Sequence, residues 1–413
     1  MNREELAAKI QRTLAETPIT DVHTHLYTPD FGNLLLWGID ELLTYHYLAA
    51  ETLRIANTDP ADFWRLSKRQ QADLVWKTLF IERSPISEAC RGVLTCLAKL
   101  GLDVASRDLE SYRQYFAGFT PEQYLEKVLE ISHVKTVVMT NDPFDPAERG
   151  IWERGRKEDP RFRAVLRLDP LLVTTPQGIA VLRQLGYDVE GGLSQRTLAE
   201  VRRFLTDWLD KLNAVYMAVS LPPTFTFPAN NLQARLLERC VLPVSRERNV
   251  PFAMMIGVKK LANPELVLAG DSVGKSSIEA VEYLCANFPH NKFLVTMLAR
   301  ENQHELAVAA RKFRNLMPFG CWWFLNNPSL IEEITRLRTE LLGLSYLPQH
   351  SDARVLDQLV YKWTHSRQII GKVLLDKYSD LERTGWQVSE QEIQRDIEAL
   401  LGGNFWSFLE KEI

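Results

Sequence analysis

The chain of 413 residues is poor in cysteine, and its cysteines are not grouped. Cys90, Cys96, Cys240, Cys285 and Cys321 stand far from the short paired spacings of a thiolate metal site or a redox pair. So odd and sparse a set excludes a disulfide framework and predicts buried free thiols in a reducing compartment. Long apolar runs are also missing: none approaches the ~20 residues of a membrane helix. Residues 1–16 form a charged helical pattern without an apolar core, so no secretory leader is expected and the expected location is cytoplasmic. A strong charge of either sign is absent too. The net charge of −4 makes no case for nucleic acid or an anionic membrane as a partner, while local arginines can still bind a small anion. There is no internal repeat, low-complexity stretch or linker, and a single domain over 1–413 is expected.

What remains is an ordinary globular composition, 46% hydrophobic and 25% charged, enough to build a large core. A strand is predicted at 18–25. Residues 29–133 then carry helical spacings and almost no strand signal, which predicts a large helical insertion. Within it, Thr120-Pro121-Glu122-Gln123 has the cap, the proline and the acid of a helix start. Short β-rich runs then alternate with helical segments: Lys135–Thr140, Arg163–Leu168, Ala214–Ser220, Pro251–Ile256, Lys292–Leu298, Pro318–Phe324 and Tyr346–His350. With the first strand these make eight. The pattern predicts an α/β fold, a (β/α)8 TIM-type barrel, with helices from about 355 to 413 packed outside it.

The first strand ends in Asp21-Val22-His23-Thr24-His25. His23 and His25 point to the same side of the strand, and two imidazoles so placed can chelate one metal ion. Barrel closure sets the last strand beside the first, so Asp352 converges on the same mouth. Two histidines and a carboxylate suit a mononuclear divalent site, with zinc the expected metal. Arg167 and Asp169 share one face of the third strand. That arginine either meets an anion or forms a structural pair with Asp169, and Arg354 is a second anion-binding candidate. No lysine stands in the fourth strand and no histidine in the fifth or sixth, which favours one metal over two. Gly270–Ser276 imitates a phosphate-binding loop but has one residue too few between its glycines.

These residues, with Leu42–Tyr47, Thr140–Asp145, Leu166–Pro170, Cys321–Phe324 and His350–Arg354, carry a resemblance. The chain resembles the uronate (glucuronate) isomerases of the amidohydrolase superfamily, in their shorter, bacillus-type branch. The resemblance implies interconversion of aldose hexuronates with their 2-keto isomers, D-glucuronate with D-fructuronate or D-galacturonate with D-tagaturonate. It implies His23, His25 and Asp352 as metal ligands and Asp352, His46 and Tyr47 as catalytic groups. Arg167 and Arg354 would contact substrate. The longer branch has a histidine within the segment matching Met254–Gly257 and an arginine at Lys260; this chain departs from it there, and also at Tyr45 and Ala50. The expected partners are a small hexuronate and further copies of the chain in a homo-oligomer, with no nucleic acid and no membrane. Two alternatives stand beside this: a metal-dependent hydrolase or decarboxylase on the same barrel, and an inactive barrel that binds sugar acids.

Overall fold

The computed structural model describes residues 3–413. Nine strands are β1 (Ile19–Thr24), β2 (Val134–Asn141), β3 (Phe162–Arg167), β4 (Met217–Leu221), β5 (Phe252–Ile256), β6 (Val258–Lys259), β7 (Ser272–Val273), β8 (Phe293–Met297) and β9 (Leu316–Pro318). Seven form one parallel sheet in the order β1-β2-β3-β4-β5-β8-β9, while β6 and β7 pair antiparallel on their own. β5 and β8 are buried at every position. Such uninterrupted apolar runs suit a parallel sheet covered on both faces. The outer helices cover it with apolar stripes. In Gln195–Leu212 the buried residues Val201, Phe204, Leu205, Trp208, Leu209 and Leu212 recur at helical spacing, and Ser194 caps the start. The curled sheet with helices around it is a TIM-type β/α barrel.

The eighth position departs from the expectation of a strand at Tyr346–His350. Only one bridge, Phe319 with Leu347, joins this segment to β9. Pro348 has no N–H to donate, and the Gln349 side chain takes the place of the ladder, accepting from the backbone N–H groups of Cys321 (3.0 Å) and His350 (3.2 Å). The segment still closes the barrel. Asp352 N donates to His23 O (3.1 Å) and His25 N to Ala353 O (2.7 Å). The seventh strand is displaced as well, ending at Pro318 rather than running to Phe324. Gly320 turns the chain out of the sheet at φ +71°, and a Cβ there would lie 1.9 Å from the His350 ring. The apolar run that follows forms a 3-10 turn, Trp323–Leu325.

Between β1 and β2 the chain is helical, and Thr120 makes the capping box its sequence signals. One of these helices, His46–Ile55, carries its first residues to the barrel mouth. The helix Gln358–Arg383 packs against Arg3–Glu16, with Arg3 paired to Asp376. It also reaches inward, where the Trp363 indole donates to Asp21 at 2.8 Å and so ties β1 to the outer layer. All five cysteines are free and buried. Among the described residues no helix is long and apolar enough to cross a membrane.

Candidate active site

A cavity of about 580 Å³ opens at the C-terminal ends of the strands, where barrels of this type build their sites. His23, His25 and Asp352 meet at its floor. Asp352 Oδ1 lies 3.6 Å from His23 Nε2 and 3.3 Å from His25 Nε2. One ligand atom from each residue falls within 4.8 Å of the others. His23 Nε2 and Asp352 Oδ1 are buried without a hydrogen-bond partner. Orphaned polar atoms of that kind are costly unless something satisfies them, and a cation would satisfy both. Burial lowers the pKa of both imidazoles, and for His23 the neighbouring His350 and His25 add to it. Burial alone would raise the Asp352 carboxyl, but His25, His23 and Lys362 outweigh it and hold it below the usual carboxylate range. Neutral imidazoles and an ionised carboxylate are the forms that ligate a metal, so the donor set fits one divalent ion.

The imidazole of His23 is fixed from behind. Its Nδ1 lies 3.2 Å from the Tyr216 hydroxyl and 3.4 Å from Thr140 Oγ1, while Tyr216 donates to Val22 O at 2.8 Å. His350, fully buried, sets its ring centroid 5.2 Å from that of His23, with no partner for either nitrogen.

The two arginines differ. Arg167 donates two parallel hydrogen bonds to Asp169, at 2.9 and 3.0 Å. Both readings of Arg167 therefore meet in one place: it sits on the cavity wall and it is paired. Asp169 beside it raises its pKa further. Arg354 also faces the cavity, but its guanidinium has no ion pair or hydrogen bond among the described residues. His46 lines the cavity from the helical insertion, with Nε2 buried and unpartnered, and burial pulls its pKa down to about 4. Tyr45 lines the cavity as well. Tyr47 lies next to both rings, its own 4.3 Å from His46, and its hydroxyl is buried without a partner. The Lys362 ammonium stands 5.8 Å from the Tyr47 ring and donates to Ser351 O at 2.5 Å.

Several residues of the site carried no sequence signal. Glu148 is buried in the cavity wall and accepts from the Tyr27 hydroxyl (3.1 Å), Asn141 Nδ2 (2.7 Å) and Asp142 N (2.9 Å). Only the polar run Thr140–Asp142 hinted at it. Tyr216 stood in a stretch that reads as core. Asp271, inside the false phosphate loop, accepts from Lys260 at 2.6 Å at the cavity edge.

No family model matches the sequence, and no curated protein does. Solved structures do. A uronate isomerase of Bacillus halodurans is 57% identical with a TM-score of 0.98, over 100% of this chain and 98% of that one. A uronate isomerase of Thermotoga maritima (16% identity, TM-score 0.80, 98% and 97% covered) and a glucuronate isomerase of Caulobacter crescentus (14%, 0.79, 99% and 94%) share the fold. With the first of these likenesses running the full length of the chain, and with the metal-type floor and the two arginines in place, the chain belongs to the uronate isomerase family.

Proposed function

We propose that this chain interconverts aldose hexuronates and their 2-keto isomers, D-glucuronate with D-fructuronate or D-galacturonate with D-tagaturonate. The observation that carries the reading is the convergence in one cavity of the Asp352 carboxylate, beside His23 and His25, with an Arg354 guanidinium that has no ion pair among the described residues. Isomerisation needs a base at C2 and a grip on the carboxylate, and these two residues offer them.

Arg354 binds the substrate carboxylate through charge-assisted hydrogen bonds. Arg167, already matched by Asp169, directs N–H groups at a hydroxyl or at the enediolate oxygen that develops in the transition state. Asp352 takes the C2 proton and returns it to C1. The C2–H bond breaks and a C1–H bond forms, while a hydrogen passes from the oxygen on C2 to the oxygen on C1. Atoms and electrons balance without an external reductant. His46, neutral because it is buried, or Tyr47, kept protonated by burial behind the cavity lining, relays that second hydrogen. His23, His25 and Asp352 hold the metal, for which we propose zinc. A metal held there would supply Lewis acidity toward the substrate oxygens.

Proton NMR of the purified protein with each uronate in deuterated water, before and after chelation, tests this. Keto acid carrying deuterium at C1 is expected from at least one sugar. No product from either, in a folded and metal-loaded sample, overturns the isomerase reading. Release of carbon dioxide or of a second product would favour the decarboxylase or hydrolase.

A further inference from the structure

We infer that Tyr216 is a positioning residue of the metal site: its hydroxyl holds the His23 proton on Nδ1 and leaves the Nε2 lone pair facing Asp352. The inference rests on the reading of His23, His25 and Asp352 as metal ligands.

The argument is a count of hydrogens. Tyr216 is fully buried, and its hydroxyl carries one hydrogen and two lone pairs. Val22 O, 2.8 Å away, is a carbonyl and can only accept, so it takes that hydrogen. Toward His23 Nδ1, 3.2 Å away, the hydroxyl has only a lone pair to offer. The contact is a hydrogen bond only if Nδ1 carries the hydrogen. A neutral imidazole has just one, so Nε2 is bare. Its distance to Asp352 Oδ1, 3.6 Å, is too long for a hydrogen bond and leaves room for a ligated ion. The opposite tautomer fails at both ends. It would place lone pair against lone pair at Tyr216 and aim an N–H where a metal must sit. The ring cannot escape by turning, because His350 and Phe319 pack edge-on against it. Among the described residues Thr140 Oγ1 is the only other group within hydrogen-bond distance of Nδ1. At 3.4 Å its hydroxyl can rotate to suit either tautomer, so it selects neither.

Tyr216→Phe and Thr140→Val, beside the wild type, separate these roles. Zinc affinity is measured by competition with a chromogenic chelator. The His23 tautomer is read from ¹⁵N-histidine NMR of the metal-free protein, its signal assigned by its loss in His23→Gln. Removing an outer partner of a ligating histidine weakens metal binding by roughly 10- to 100-fold. We expect that loss in Y216F, with unchanged near-UV circular dichroism, and no loss in T140V. The wild-type spectrum should show Nδ1 protonated. Zinc bound equally tightly by Y216F, or an Nε2-protonated His23 in the wild type, overturns the proposal. A loss confined to T140V transfers the role to Thr140 and also overturns it. If the wild type binds no divalent ion, the metal reading fails instead, and the tautomer still decides for or against Tyr216. The spectrum needs no substitution at Tyr216, so a Y216F that failed to fold would not remove the test.

Discussion

The two halves of the barrel mouth are built on opposite terms. Strands β1, β2 and β3, with the segment after Leu347, contribute His23, His25, Thr140, Asp142, Arg167, Asp352 and Arg354 to the cavity. Among the described residues β4 and β5 themselves give only Ser220 and Met255 and β8 nothing, while the segment past β5 adds Val258 and the Lys260–Asp271 pair. The polar half is tolerable because several of its groups answer one another: Arg167 with Asp169, and Glu148 with four donors. Across from it, Phe252–Ile256 and Phe293–Met297 are unbroken apolar strands. A substrate in this cavity would meet the proposed base and both arginines on one side and, on the other, apolar strands with the Lys260–Asp271 ion pair at their edge. On the proposed reading, recognition and chemistry share a lip of the barrel, and the facing strands chiefly supply shape.

Four outcomes would break or sharpen that contrast. The largest effect is expected at Asp352→Asn, which removes the proposed base but keeps the shape. Turnover should fall by at least the roughly 100- to 10,000-fold carried by a general base, with circular dichroism unchanged. A near-wild-type rate would take the chemistry away from this lip. Next comes Arg354→Met. A hydrogen-bonded charge is worth about 1.5–3 kcal/mol, so the Michaelis constant should rise roughly 10- to 100-fold. Arg167→Met should raise it less, because Asp169 already holds that guanidinium. The reverse order in steady-state kinetics would make Arg167 the main grip.

A smaller effect concerns Glu148. Burial pushes its carboxyl from an ordinary 4.5 up to about 7. The folded chain therefore holds this proton more tightly than the unfolded chain. The resulting stability is complete below pH 4.5 and is lost as pH rises through about 7. Denaturant melts of Glu148→Gln and wild type should show the variant losing less stability across that window. Parallel curves would mean that Glu148 titrates normally. Least of all should happen at Met255→Leu on the apolar half. A swap of similar volume costs under about 1.5 kcal/mol and should leave the Michaelis constant unchanged. A clear change there would show that the facing wall takes part in recognition.

The contrast also explains what the sequence disclosed. Strand after strand was legible because parallel strands buried on both faces are concentrated apolar runs, and the histidine pair because its spacing marks one side of a strand. The last two strands were misplaced for local reasons. Cys321-Trp322-Trp323-Phe324 has the composition of a strand, yet Gly320 has already turned the chain out of the sheet against His350. Tyr346–His350 looks like a strand, but Pro348 interrupts its ladder and a glutamine side chain replaces it. Tyr216 and Glu148 were invisible because what distinguishes them is a partner: Val22 and His23 for one, Tyr27 and Asn141 for the other. Neither partner has a fixed offset in sequence. The pairing of Arg167 with Asp169 was legible because they stand two residues apart, although they do not share a strand face as expected: Arg167 ends β3 and Asp169 begins the short helix Asp169–Leu172; the freedom of Arg354 was not, since a missing partner leaves no trace in a string of letters.

Asp352 holds a left-handed backbone, φ +51°, at the point where its segment meets β1. That conformation costs most side chains ~1 kcal/mol or more, and glycine adopts it freely. Selection for foldability alone would drift toward glycine here, and an Asp352→Gly chain would be relieved of both the strain and a buried carboxylate. An aspartate at this bend accepts that cost and keeps a carboxylate facing His23 and His25. The residue that the backbone would most readily give up is the one on which activity is expected to depend, so drift that improved the fold at this site would end in a sturdier, silent barrel.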